Sequence, residues 1–159
     1  MEIIKSKIQY AILIVLILLS TVMIGFHVFF MKVSVTSGSM ETTIMTGDHL
    51  LIKKTKSVNR GDIVCFKSSE LGRILVKRLI GLPGDKVTIR EGVLFVNGEK
   101  VQEDYVSTFY EYNGEFDVPK DSYFFLGDNR ADSFDARFWS NPYIHKSAII
   151  GRSILNLSR

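Results

Sequence analysis

The chain has 159 residues, enough for one compact domain plus one further element, and its formal net charge of +3 is too mild to point to nucleic acid as a partner. A single cysteine, Cys65, excludes an internal disulfide, and without a CxxC or paired Cys/His spacing no metal site is supported. Cys65 lies in the apolar run DIVCF and reads as a buried structural thiol.

Residues 8–31, IQYAILIVLILLSTVMIGFHVFFM, carry no acidic or basic side chain apart from His27. About 20 apolar residues cross a bilayer as a helix, whereas the apolar core of a cleavable signal peptide is about 7–15 residues long and is followed by small residues. This run is longer and bulky residues follow it, so it reads as an uncleaved signal anchor held in the lipid bilayer. Lys5 and Lys7 precede it and Lys32 follows it. That asymmetry favours a cytoplasmic N-terminus over residues 1–7. Residues 32–159 are then expected on the outer face of the cytoplasmic membrane, behind a single span.

After the span, apolar and β-branched runs alternate with turn residues. Residues 33–36, 48–54, 61–67 and 73–81 read as strands, bounded by Gly, Asn or Asp. In 86–101, the pairs Glu91 with Gly92 and Asn97 with Gly98 separate strand-like runs and predict two tight hairpin turns. Residues 121–128 and 148–155 supply two more strands, and 102–120 reads as a connecting excursion. Many short strands without helical periodicity predict a mainly β fold: an N-terminal transmembrane helix followed by a compact β-rich domain.

Ser39 stands in a glycine-containing turn directly after the span. A serine beside glycine is ordinarily a loop residue, and a serine hydroxyl needs an activating base to become a nucleophile. His27 lies in the span, His49 and His145 have no triad context, and no G-x-S-x-G elbow is present. A lysine base must be neutral, which requires apolar burial or a nearby cation. In RILVKRLIG, strand alternation puts Leu75, Lys77 and Leu79 on one face, apolar except for the amine. Taken alone, the segment also fits an edge-strand lysine reaching out to solvent. The segment GDNRADSFDARFW (127–139) is dense in charge, with Asp128, Arg130, Asp132, Asp135 and Arg137. It fits either a solvated, salt-bridged loop or a rigid loop packed on a Ser/Lys pair, with Ser133 available to orient an amine.

Together these segments resemble bacterial signal peptidase I, the membrane-anchored Ser-Lys endopeptidase. SGSM (37–40) is similar to its nucleophile segment and GDIVCF (61–66) to the strand that follows. VKRLIGLPGD (76–85) is similar to its general-base segment, and GDNRADSFDARFW to its C-terminal box. The resemblance runs over nearly the whole chain and implies a catalytic domain of the signal peptidase/LexA-like Ser-Lys protease type. It implies Ser39 as nucleophile and Lys77 as general base, with an oxyanion hole from the Ser37 hydroxyl and the Ser39 N–H. It implies that Ser133 hydrogen-bonds Lys77 and that Asp128, Arg130, Asp135 and Arg137 brace the site. Acidic residues of the box are expected to pair with Arg130 and Arg137, because a carboxylate on Lys77 would raise its pKa. The implied partners are signal peptides of secretory preproteins, cut after small residues at positions −1 and −3, with no cofactor. The peptide would lie as an added strand between Val33 and Val35 on one side and Ile74 and Val76 on the other. Met40 and Ile44 fit either pocket walls or core packing.

Three departures accompany the resemblance. Thr42 stands where the family has proline, which removes a fixed φ from the turn. Ala131 and Ala136 stand where the family often has Asp and Ser. The short segment before the C-terminal box implies a minimal enzyme without a large extra β-domain. A LexA-like self-cleaving repressor shares the Ser/Lys logic but would carry a DNA-binding helix-turn-helix in place of a membrane anchor. A non-catalytic membrane-anchored β-domain would have no need of Ser39, Lys77 and Ser133 together.

Overall fold

The structure, a computed structural model, describes residues 2–158. Met1 and Arg159, the outermost residues of the expected N-terminal segment and outer domain, lie outside the described residues.

Helix α1 spans Glu2–Phe29, and its stretch Ile12–Phe29 has a mean hydropathy of 2.7 with none of it buried against the rest of the chain. By length and composition it is able to cross a membrane. It stops two residues short of the expected 8–31 boundary, because Phe30 and Met31 already pair with Lys53 and Ile52 in the first strand, β1 (Phe30–Ser34). No linker separates helix from strand. Lys54 Nζ donates to the His27 carbonyl at 2.8 Å, satisfying one of the orphan carbonyls of the last helical turn. Phe26 stacks on Phe30 across the junction, with ring centroids 5.0 Å apart.

The remaining strands are β2 (His49–Lys54), β3 (Ile63–Lys67), β4 (Ile74–Gly81), β5 (Lys86–Arg90), β6 (Val93–Val96), β7 (Glu99–Lys100), β8 (Gly114–Asp117), β9 (Ser122–Leu126), β10 (Tyr143–His145) and β11 (Ile149–Leu157). They form a seven-stranded antiparallel sheet, β1-β2-β11-β3-β4-β9-β10, and a four-stranded one, β7-β6-β5-β8. The mainly β expectation is met. Both predicted hairpin turns are present: Glu91, Gly92, Asn97 and Gly98 have φ of 50°, 78°, 53° and 86°, the paired left-handed residues of type I′ turns. Strands β8 and β10 went unread in the sequence. GEFD and YIH are too short to show alternation, and they are strands because β5 and β9 offer them an edge to pair with.

Alternation along β3 divides two cores. Val64 and Phe66 enter the larger one, where Phe66 stacks on Phe125 at 4.4 Å, while Cys65 enters a smaller one with Met40, Ile44, Leu50 and Ile52. Burial pushes the Cys65 thiol up to about 12, consistent with an inert structural residue.

Candidate active site

A cleft of about 260 Å³ opens between β1 and the first half of β4. β1 is the edge of its sheet. β4 pairs with β3 from Ile74 to Arg78, but its pairing with β9 begins only at Arg78, so residues 74–77 keep one free edge among the described strands. Two unpaired backbone edges therefore flank the cleft. Ser37, Ser39 and Lys77 all line it. So do the six expected peptide contacts, Val33, Val35, Met40, Ile44, Ile74 and Val76. Met40 and Ile44 are also buried in the smaller core, so they line the cleft from within the packed interior.

The turn that carries Ser39 is braced from several sides. Val35 N–H donates to Asp48 O and Gly47 N–H to Val35 O, each at 2.9 Å, closing its base. The Glu41 carboxylate accepts from the Thr46 hydroxyl at 3.0 Å, and the Asp48 carboxylate accepts from Met45 N–H at 3.0 Å. The turn is thus held by side chains although Thr42 occupies the proline position. Asn129 reaches in from the C-terminal box: its N–H donates to Ser39 O at 3.2 Å and its side-chain amide to Gly38 O at 3.0 Å. The Ser37 and Ser39 hydroxyl oxygens lie 3.4 Å apart.

Lys77 is 3% exposed, on the face of β4 that sends Leu75 and Leu79 toward the larger core. Its Nζ donates to Ser133 Oγ at 3.0 Å. Burial is the chief cause that lowers its pKa to about 8. Asp135 and Asp128 act against that shift, while Arg137 and Arg73 add to it.

The buried charges are paired, though not all as expected. Asp135 binds Arg137, with the Arg137 Nε 2.8 Å from one carboxylate oxygen and a terminal nitrogen 2.9 Å from the other. Arg137 also donates to the Arg130 carbonyl at 2.8 Å and so cross-ties the loop. Asp128, however, pairs with Arg78, which donates through Nε at 2.8 Å and through a terminal nitrogen at 2.6 Å, and it also accepts from the Thr43 hydroxyl at 2.6 Å. Arg130 pairs with Glu103 from the excursion. The reason lies in strand geometry: Lys77 and Arg78 are consecutive and project to opposite faces, so the sheet keeps amine and carboxylate apart. Asp128, Arg130, Asp135 and Arg137 do not line the cleft; they hold the loop behind it.

Gly127, Asn129, Arg78, Thr43 and Glu103 were not singled out in the sequence as site residues. Gly127 is needed for space, not for an unusual φ. A Cβ there would lie 2.1 Å from Ser133 Oγ and 2.4 Å from Ser39 O. Gly127→Ala should therefore displace both hydroxyl-bearing segments, and if Ser39 and Lys77 act as the resemblance implies, lower peptide cleavage by about 100-fold, as a misplacement of about 1 Å does. Circular dichroism of the variant should stay native; a variant with native rate would show that these positions tolerate displacement.

The profile of the family described as signal peptidase, peptidase S26, matches residues 7–157. This chain belongs to the signal peptidase family. A probable signal peptidase I-2 of Synechocystis sp. is 36% identical over 133 residues, 76% of this chain and 60% of that protein. Signal peptidase I U of Bacillus subtilis is 32% identical over 148 residues, 84% and 79% of the two chains. The match spans 60% and 65% of the first two curated relatives' own length. The crystal structure of a signal peptidase I from Enterococcus faecalis is 32% identical, with a TM-score of 0.55, over 60% of this chain and 96% of that one. Membership in the signal peptidase family, with the apolar helix α1, points to a membrane-anchored protein.

Proposed function

We propose that this chain is a signal peptidase I that removes signal peptides from secretory preproteins with a Ser39/Lys77 dyad. The observation that carries this reading is a buried lysine, its pKa lowered to about 8, bonded to a hydroxyl and opening onto the cleft that holds Ser39. Neutral Lys77 takes the Ser39 proton as Oγ attacks the scissile carbonyl. The Ser39 N–H and the Ser37 hydroxyl stabilise the oxyanion, each contact worth about 3–4 kcal/mol. Protonated Lys77 returns its proton to the leaving amine, the mature protein departs, and water hydrolyses the acyl-enzyme.

The two free edges accept the peptide as an extended strand, and small residues at positions −1 and −3 fit the shallow apolar walls of Val35, Ile44 and Val76. Residues 1–7 lie in the cytoplasm, the apolar run that begins at Ile8 and fills the rest of α1 spans the cytoplasmic membrane, and residues 32–159 lie outside. Processing in trans of a preprotein with an A-x-A site tests the activity. Cleavage restricted to the chain itself would favour a LexA-like protease, and absence of any cleavage a binding domain. Topology is checked with protease added to spheroplasts: it should degrade the β domain while an N-terminal tag stays protected, and the reverse pattern would overturn the orientation.

A further inference from the structure

A second groove, of about 530 Å³, adjoins the cleft and shares Arg73 and Ile74 with it. Lys54, Lys56, Lys67 and Arg73 line it, and no carboxylate does. Among the described residues none of these four cations forms an ion pair. Lys54 and Lys56 donate instead to neutral backbone carbonyls, of His27 and Ser147, each at 2.8 Å, so their charge stays uncompensated. Some exposed cations elsewhere are matched, Lys86 by Glu115 and Lys146 by Asp121; what sets this groove apart is that four unmatched cations converge on it. Four like charges around one groove repel one another unless an anion sits among them.

The sheet topology fixes where that groove lies. β2 and β3 end at it, and β4 and β11 begin at it. Because these neighbours are all antiparallel, the four termini fall at one end of the sheet. β1 also begins at that end, directly from α1, with Phe30 opposite Lys53. The groove is therefore at the end where the apolar helix enters, at the mouth of the cleft farthest from Ser39. Ile74 and Ile150 give it an apolar wall beside the cations.

We propose that this groove binds the phosphodiester headgroup of an anionic phospholipid and so seats the domain on the bilayer surface at the membrane-proximal mouth of the cleft. The proposal rests on the reading of α1 as a membrane anchor. Lysine and arginine are the usual phosphate ligands, and a basic side chain close to an anionic membrane surface contributes about fivefold in affinity. A free phosphate ion offers the same chemistry without the glycerol and acyl parts that the apolar wall would contact.

The test uses the isotope-labelled full chain in neutral detergent micelles, titrated with short-chain phosphatidylglycerol, short-chain phosphatidylcholine and inorganic phosphate while amide shifts are followed. Saturable shifts confined to residues 54–56, 67–74 and 147–150 are expected with phosphatidylglycerol, and weak or unsaturable ones with phosphatidylcholine and phosphate. Lys67→Gln with Arg73→Gln should weaken that binding about 30-fold, two side chains' worth, while Lys146→Gln, outside the groove, leaves it unchanged. Unaltered core amides in the double variant report that it is folded. Equal shifts from phosphatidylcholine, equal saturation by phosphate, or preferential occupancy by a signal peptide acidic upstream of its cleavage site would each overturn the proposal. No peptide bond is cut in this measurement, so its failure and the failure of the peptidase reading are distinguishable.

Discussion

Replacing Lys77 by arginine is expected to abolish preprotein cleavage, with a loss of at least about 10²–10⁴ in kcat/KM and more if nucleophile and base act as a unit. Arginine keeps the charge but does not deprotonate in a protein. The same substitution separates a base from a mere structural cation, since a structural cation would survive the exchange. The unchanged protein should show a matching pH profile. Its lysine titrates at about 8, well below the usual lysine range, because burial disfavours the charged form. A lysine acting as general base must be neutral, so the proposed mechanism requires log kcat/KM to rise with pH up to about 8 and level off above it. At pH 7 only about a tenth of the enzyme carries the active form. A profile still rising with unit slope through pH 10, or Lys77→Arg cleaving at native rate, would remove Lys77 from the mechanism.

Ser39→Ala should give a loss larger still, on the order of 10⁴–10⁶, leaving the rate that binding and the oxyanion donors provide without a nucleophile. Stability should hardly change. The contacts that fix this segment run through the Ser39 carbonyl, the Gly38 carbonyl and the Met40 side chain, all of which remain. A mixed assay checks both points: thermal melting of the variant, and mass spectrometry for an acyl-enzyme formed with a slow ester substrate. An acyl adduct that persists on the alanine variant would move the nucleophile elsewhere.

Strands with several alternating residues were legible from the sequence, and so were the two hairpins, because left-handed glycine and asparagine leave a local mark. β8 and β10 were not, since their only reason to be extended is a partner strand distant in sequence. The candidate site divides in the same way. Strand period put Leu75, Lys77 and Leu79 on one face but left a lysine reaching out to solvent equally open; only the company of SGSM and GDNRADSFDARFW turned that segment toward burial. The partners of Asp128 and Arg130 leave no such trace. Arg78 comes from the opposite face of β4 and Glu103 from an irregular excursion, so charge density within GDNRADSFDARFW invited pairing inside the segment. Gly127 was also silent, because its constraint is a close approach by Ser133 and the Ser39 backbone, with no turn to reveal it.

The direct passage from Phe29 to Phe30 has a consequence for encounter rates. A domain on a flexible tether would sample every tilt and height above its anchor, and each productive meeting would first have to find the right one. Here the stacked Phe26 and Phe30 and the Lys54 contact to His27 tie strand to helix. A substrate whose own apolar segment lies in the same bilayer shares that plane. What remains to be searched is lateral position and rotation about the membrane normal, and those are the two freedoms that lateral diffusion supplies.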